Sequence, residues 1–339
     1  MSSEVKAQSN HTENVWLTWQ DHPRSRTLSR EFSAQYVVFK YSGFNIFRYL
    51  ILSFKTLYFL LKFRPKVVFC QNPSMVLNAL LCLFKPLFKY FLVADRHTNF
   101  AFRHASSFQL KWIIFRAISN YNIRNSDIMI VTNDFLKKYI DCLGGNGFVL
   151  PDKIPSLAHG FDPITLKGKF NCFFVCTFSD DEPYAEVFEA ARKVPANWYI
   201  YVSGNFKKLK MEKATIPENI VLLGFLEDEE YIRYLRSADC VMVLTTLDFT
   251  LNCGAYEAVA AKKPMILSDK ETIRNYFNKG AVYSGSRCFA IEESLRFMFQ
   301  KSQELQPMVE ILKLELEEDW RKRFDLFEIS GASQQGDSE

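Results

Sequence analysis

Short apolar runs alternate with longer mixed segments along most of the chain, the pattern of βαβ units around a parallel sheet buried on both faces. In the first half the runs predict strands at Val15–Trp19, Tyr36–Phe39, Val67–Cys70, Tyr90–Ala94, Ile128–Val131 and Phe148–Leu150. The segments between them predict helices at Thr27–Phe32, Phe44–Phe63, Ser74–Phe84, Leu110–Ala117 and Phe135–Cys142. A turn-rich connector follows, with Pro151, Pro155, Gly160, Pro163 and Gly168. The rhythm then repeats. Strands are predicted at Cys172–Cys176, Tyr199–Val202, Val221–Leu223, Val241–Leu244, Met265–Leu267 and Val282–Tyr283. Helices are predicted at Pro183–Arg192, Glu229–Arg236, Gly254–Ala261, Glu271–Phe277 and Ile291–Gln300. A last helix covers Met308 to about Phe327, and the tail SGASQQGDSE reads as disordered. Periodicity therefore supports a doubly wound α/β fold, twice over.

Composition narrows the class. At 339 residues, with 48% hydrophobic and 24% charged, the chain is globular and long enough for two domains. Residues 1–13 are polar and Val15 to Trp19 are too few for a signal-peptide core, so no leader is expected. The eight cysteines sit mostly in apolar runs without CxxC spacing, which favours reduced core thiols in a cytosolic protein over a zinc knuckle. Charge is asymmetric: residues 1–150 hold 19 Lys+Arg against 8 Asp+Glu, whereas the remainder holds 23 against 30. Between Tyr41 and Ser126 twelve basic residues face one acid, Asp95. Such sign separation points to an anionic partner for the first half.

That partner is expected to be a membrane surface, the alternative being that segment 44–63 is a fully buried helix in a Phe-rich core. The segment 44–63, FNIFRYLILSFKTLYFLLKF, is apolar nearly all round, with Arg48, Lys55 and Lys62 seven apart on one stripe. A sheet can cover one side of such a helix and lipid the other. Three cations on one stripe argue against spanning, at roughly 2.5–3.5 kcal/mol each near the bilayer centre. In LFKPLFKYF, Pro86 is expected to break the next helix, leaving Lys85 and Lys89 to reach head groups. The Phe- and Leu-rich setting of these cations fits lipid rather than nucleic acid.

The stretch Ala238 to Asp269, ADCVMVLTTLDFTLNCGAYEAVAAKKPMILSD, carries the most chemistry. It reads as a buried strand, a polar loop, a helix opening near Asn252, and a second buried strand. A loop of this kind, feeding a helix N-terminus at a strand's carboxyl end, is where open α/β sheets bind ligands. Asn252 is a suitable N-cap, the N–H groups of Cys253, Gly254 and Ala255 would face an anion, and Gly254 lets backbone approach it. Glu257, one turn in, suits a ribose or sugar diol. A phosphate site beside a carboxylate fits a nucleotide-sugar.

This stretch resembles the donor-binding motif of GT-B glycosyltransferases in the broad family 4 group, with similarity to the dolichol-linked chitobiosyl β-mannosyltransferase branch. The resemblance implies two facing Rossmann-like domains with a cleft between them. Residues 1–155 would form the basic, membrane-facing acceptor side and 165–305 the donor domain. A helix at 306–328 would cross back, and 329–339 would be the tail. In that group two acids spaced E-x₇-E bound the donor loop. Glu257 matches the second; the first falls on Phe249, with Asp248 the nearest carboxylate. The resemblance further implies donor contacts from Thr177 and Ser179 in CTFSDDEPY, Gly204 and Lys207 in SGNFKK, and Thr250 to Gly254, including Leu251. The Arg and Lys that commonly grip the diphosphate are absent from CTFSDDEPY, where Asp180, Asp181 and Glu182 with Pro183 also read as a helix start.

Across the cleft, His97 and Arg96 of ADRHTNF match a position where related enzymes place a histidine on the donor sugar or phosphate, and Arg96 adds a fixed charge. Asn72 in QNP and the TND at 132–134 end equivalent strands and line the cleft or cap the following helices. In the first loop, His22, Arg24 and Arg26 are candidates to hold an acceptor phosphate or to form a solvated face, with Asp21 or His22 as base if the enzyme inverts. The candidate catalytic residues are His97, Asp248 and Glu257. No DxD, Walker, GxSxG or HExxH pattern occurs, so no metal and no cofactor beyond the nucleotide-sugar co-substrate are expected. The expected activity is transfer to a lipid-linked or polysaccharide acceptor in surface-glycan synthesis, on the cytoplasmic face of an anionic membrane. The alternatives are a non-catalytic donor-binding scaffold and a GT-B nucleotide-sugar epimerase.

Overall fold

The computed structural model describes residues 13–336 apart from 44, 72–73, 98–106, 159 and 210–214; side chains of 45–46 and 329–336 are not described either. The chain divides into two compact units, Met1–Pro151 with Phe324–Glu339, and Asp152–Arg323.

Unit 1 is built on a six-stranded sheet: β1 (Asn14–Thr18), β2 (Gln35–Val38), β3 (Val67–Gln71), β4 (Phe91–Asp95), β5 (Ile128–Val131) and β6 (Gly147–Val149). The order is β2-β1-β3-β4-β5-β6, and each pairing is parallel. Its helices are α1 (Pro23–Glu31), α2 (Asn45–Phe63), α3 (Met75–Phe88), α4 (Leu110–Asn125) and α5 (Asp134–Cys142). The apolar runs do not alternate because both faces are covered. Val15 and Leu17 pack with Leu52 and Phe59 of α2 and Leu77 of α3. From the other face Trp16 stacks on Phe69 at 5.4 Å, and Phe32 sits between them and Phe327 of the last helix.

Unit 2 repeats the plan with β7 (Phe170–Phe174), β8 (Trp198–Ser203), β9 (Ile220–Gly224), β10 (Cys240–Val243), β11 (Met265–Ser268) and β12 (Ala281–Ser284). The order is β12-β11-β10-β7-β8-β9, again all parallel. Helices α6 (Tyr184–Ala191), α7 (Asp228–Ser237), α8 (Cys253–Ala260) and α9 (Glu271–Tyr276) connect them, and α10 (Cys288–Gly336) closes the chain.

Helix ends differ from expectation in four places, the first being α4, which runs on to Asn125 where an end at Ala117 was expected. α1 begins at Pro23 rather than Thr27, because proline fixes φ at the first helical position and His22 caps the turn: its Nδ1 accepts from the Arg24 N–H at 3.2 Å. α3 passes through Pro86 and stops two residues later, where Lys89 takes a left-handed φ of 55° and donates its N–H to the Lys85 carbonyl. In the last turn a proline removes one bond rather than a ladder of them. α10 is one 49-residue helix containing Pro307 where two helices and a disordered tail were expected. Extending an existing helix adds a bond per residue, and no proline follows 307 to stop it.

α2 buries a narrow face, Leu52, Thr56, Phe59 and Leu60. Phe47, Tyr49, Leu50, Phe54, Tyr58 and Leu61 are more than half exposed. Among the described residues no helix is long and apolar enough to cross a membrane.

Candidate functional site

In unit 2 the chain runs from β7 to β8 on one side of β7 and comes back as β10 on the other. Ligands of open α/β sheets sit outside the carboxyl ends of the strands where the order reverses in this way. The loops after β7 and β10 flank that point, and side chains stitch the strand ends together. Ser203 at the end of β8 accepts from the Cys176 N–H at 3.2 Å. Thr245, after β10, donates its hydroxyl to Asp181 Oδ2 at 2.7 Å, and its N–H to Ser268 Oγ of β11 at 2.7 Å. Four adjacent strands thus present one hydrogen-bonded shelf.

The acidic run after β7 folds back on its own loop instead of capping α6. Glu182 accepts from the N–H groups of Thr177 and Ser179, each at 2.9 Å to Oε2, and from the Thr177 hydroxyl at 3.1 Å. α6 has Pro183 at its N-cap and no side-chain cap. The two donors expected to face a ligand are therefore engaged by an internal carboxylate. Charge-assisted bonds to adjacent N–H groups outweigh a single helix-end contact. Gly204 closes the neighbouring turn at φ 104°; a Cβ there would lie 2.1 Å from the Cys176 carbonyl oxygen. Lys207 and Lys208 are exposed on a short 3-10 turn whose start Asn205 caps.

Positive φ at non-glycine residues has a pattern. Ser33, Arg64, Lys89 and Lys262 follow helix ends, where left-handed backbone is routine. Phe178 and Phe249, at φ 57° and 59°, are instead in the two loops beside the point of reversal. For a bulky side chain this is strained backbone, and such strain gathers at functional sites.

After β10, Asp248 is exposed and pairs with Lys270 at 2.8 Å, and Thr250 is half-buried. Leu251 is buried in the core, so only its backbone is available. Asn252 occupies the N-cap of α8 but makes no side-chain cap bond, against expectation; its side-chain oxygen is buried without a partner among the described residues. Cys253 is exposed. The missing side chain of Gly254 faces Val175 and Val243 at 2.9 and 3.2 Å, so this glycine lets α8 close on the sheet. Glu257 is half-buried, and Tyr231 of α7 donates its hydroxyl to Oε2. Burial pushes the Glu257 carboxyl above its usual range, opposed by the Tyr231 bond. The other carboxylate oxygen has no partner among the described residues.

In unit 1 the order reverses between β1 and β3. A pocket of about 420 Å³ opens there, lined by Trp19 and Gln20 after β1, Gln71 and Met75 around β3, Arg48 and Tyr49 of α2, and Lys111, Ile114 and Phe115 of α4. It combines apolar walls with two cations. Beside β1, Asp21 pairs bidentately with Arg26 and accepts from Tyr36 at 2.9 Å; these bonds, Arg26 foremost, hold its carboxyl down to about 2. Asp21 is thereby a weak base, and Arg26 is already partnered.

Arg24, a candidate for an acceptor phosphate or a solvated face, is buried. With α1 starting at Pro23, its side chain enters from the first turn, donates through Nε to both oxygens of Asp95 at 2.9 and 3.1 Å, and reaches the Leu150 carbonyl. Asp95, at the end of β4, also meets His97 Nδ1 at 3.0 Å. Burial would raise this carboxyl, but Arg24 and then His97 hold it well below the ordinary range. The His97 and His22 rings lie 4.9 Å apart. Arg96 turns into the fold, donating to Ser119 Oγ at 2.9 Å and lying over Tyr139; burial lowers its pKa. Asn133 caps α5 through the Leu136 N–H, the default reading for TND. Asn72 lies outside the described residues. Sequence reasoning missed Glu182, Tyr231 and Asp95, although Asp95 was visible as the lone acid in a basic stretch.

Comparison with known proteins agrees with this architecture. Sucrose-phosphate synthase from Thermosynechococcus elongatus superposes with a TM-score of 0.75 at 10% identity, over 96% of this chain and 100% of that one. Anabaena HepE in complex with UDP and glucose gives 0.71 at 13%, over 94% and 91%. A putative UDP-N-acetylglucosamine 2-epimerase from Listeria monocytogenes gives 0.61 at 12%, over 88% and 91%. At these identities the likeness shows the fold, the GT-B class of two Rossmann-like domains. No curated protein sequence matches. Residues 163–302, which contain the whole sheet of unit 2, match the family model of glycosyl transferases group 1.

Proposed function

We propose that the chain is a glycosyltransferase that moves a sugar from a nucleotide-sugar donor to a lipid-linked or polysaccharide acceptor in surface-glycan synthesis, working peripherally on the cytoplasmic face of a membrane. The observation that carries the reading is Glu257. It is a half-buried carboxylate at the strand-order reversal, inside the matched family segment, with one oxygen held by Tyr231 and the other open. In this role it binds the donor ribose. Backbone from Thr250 to Gly254 takes the diphosphate and sugar, with Asp248 the nearest acid to the sugar and Lys207 supplying charge from the next loop. The UDP held by HepE on the same fold supports a nucleotide-sugar donor. Metal is not required, since helix and loop N–H groups stabilise the leaving diphosphate.

The acceptor belongs to unit 1. Its pocket pairs aromatic and aliphatic walls with Arg48 and Lys111, the chemistry of an apolar chain with an anionic head. The exposed apolar side chains of α2, with Leu83 and Leu87 of α3 and Leu110 and Ile113 of α4, support membrane attachment over a solvated surface, and no nucleic-acid partner is implied.

Incubation with UDP-, GDP- and dTDP-sugars, with and without EDTA, followed by thermal shift and transfer to polyprenyl-phosphate-linked sugars, tests the proposal. One sugar nucleotide should stabilise the protein and support transfer in EDTA. Absence of any binding across the panel refutes a donor site here.

A further inference from the structure

We infer that Tyr231 is the positioning residue of the donor site: its hydroxyl holds one oxygen of Glu257 and directs the other, as a charged acceptor, at a hydroxyl of the donor. The inference rests on the proposed donor role of Glu257 and adds what aims that carboxylate and keeps it ionised.

Both residues belong to unit 2 and lie on neighbouring helices, Tyr231 on α7 and Glu257 on α8. Tyr231, Tyr234 and Leu235 are spaced to share one side of α7. Tyr231 meets the Phe173 ring of β7 edge-on at 5.3 Å, and Tyr234 stacks on the same ring at 6.3 Å and meets Tyr201 of β8 at 5.7 Å. A ring pinned in this way has its hydroxyl aimed by packing. Phenylalanine would fill the same space; what the hydroxyl adds is a bond, and that bond goes to Glu257 Oε2.

The proton in this bond belongs to the phenol. Burial, and then the charge of Glu257, push Tyr231 well above its usual range, so it stays a donor and Glu257 accepts. Cys253, at the start of α8, also lies beside Tyr231. Glu257 has no ion-pair partner among the described residues. Burial works most strongly against its charge, the Tyr231 bond works for it, and Asp228 of α7 works against it. Oε1 has no partner and is not among the buried unpartnered atoms of the described residues, so it meets solvent. A carboxylate tied at one oxygen cannot turn the other away without breaking that tie, and the acceptor is therefore set before the donor arrives.

This arrangement makes donor binding depend on pH. Ionised Glu257 accepts from a donor hydroxyl, whereas the protonated group has lost the charge. Affinity should fall as pH drops through the folded value of Glu257. Without the Tyr231 bond that value rises, and the same fall should come at higher pH.

Tyr231→Phe keeps the ring against Phe173 and removes the bond. ¹³C NMR of the glutamate-labelled full chain, with the Glu257 signal assigned by its loss in Glu257→Gln, follows the carboxyl through its titration. The midpoint should rise by about one pH unit in Tyr231→Phe, a tenfold change in proton affinity, and stay in place in Tyr234→Phe. An unmoved midpoint in Tyr231→Phe overturns the inference and leaves the proposed function standing. Kinetics with the UDP-, GDP- or dTDP-sugar that supports transfer give the second readout. Tyr231→Phe should raise donor KM about three- to tenfold at neutral pH with kcat nearly unchanged. Unchanged KM in Tyr231→Phe, with KM raised in Glu257→Gln, overturns the positioning role alone. Unchanged KM in both, or no binding by any sugar nucleotide, removes the donor role of Glu257 and the inference with it. Should Tyr231→Phe unfold at low pH, the KM at neutral pH decides.

Discussion

Replacing Glu257 by Gln separates what the site needs from what the fold needs. Glutamine keeps the shape and leaves a carbonyl oxygen to accept from the Tyr231 hydroxyl, so packing between α7 and α8 should survive. It removes the charge from the oxygen open to ligand. A hydrogen bond to a charged acceptor is worth roughly 1.5–3 kcal/mol, which corresponds to a donor Kd raised about 10- to 150-fold. Stability should move the other way. Burial raises the carboxyl's pKa in the folded protein, so the folded state holds this proton to higher pH than the unfolded chain does. The ionised form is thus penalised on folding: the protein loses stability as pH rises from the ordinary glutamate value through the folded one. Glutamine escapes that penalty. Glu257→Gln should therefore be more stable than the parent at pH 7 and equal to it near pH 4. Urea unfolding at both pH values, with isothermal titration of the sugar nucleotide that stabilises the parent, measures the two effects. Unchanged donor affinity would remove Glu257 from the site, and a loss of stability at pH 7 would show that its charge is structurally required.

Two further outcomes are expected. Gly204→Ala places a Cβ on the Cys176 carbonyl at a φ of 104° and should cost about 2 kcal/mol or more, read as a lower urea midpoint for unit 2; an unchanged midpoint would mean that the turn is not held as described. Phe54→Glu with Tyr58→Glu on α2 alters side chains exposed by 63% and 65%, so it should leave the melting temperature within a few degrees and cut partitioning onto anionic vesicles at least about tenfold. Equal partitioning of parent and variant would rule out this face as the membrane contact.

Strands were legible to within one or two residues because a β-run buried on both faces is simply apolar, and its flanks are not. The sheet order could not be read that way, yet it is the order that puts the β7 and β10 loops side by side. Helix ends failed where two rules competed. Pro23 signals a first helical position, but the polar run after it hid the start, and the shift carried Arg24 from the surface to Asp95. Pro86 read as a break and the last two helices as separate, and instead Pro86 and Pro307 lie inside helices. At the candidate site, the sequence placed the start of α8 at Asn252, where the structure has its N-cap. It could not foresee that Glu182 would turn away from α6 and fill the loop's own N–H groups, because helix start and loop clamp use the same residues.

The two phenylalanines with left-handed backbone differ in what they gain from it. Phe178 is 3% exposed and meets Tyr184 edge-on at 5.4 Å, so its ring repays the awkward backbone through the core. Phe249 is only half-buried, in the loop that leads to α8. Glycine would adopt the same φ without strain. Phe249 is therefore an engineering handle: Phe249→Gly should relieve the backbone of this loop while leaving the core around Phe178 as it is.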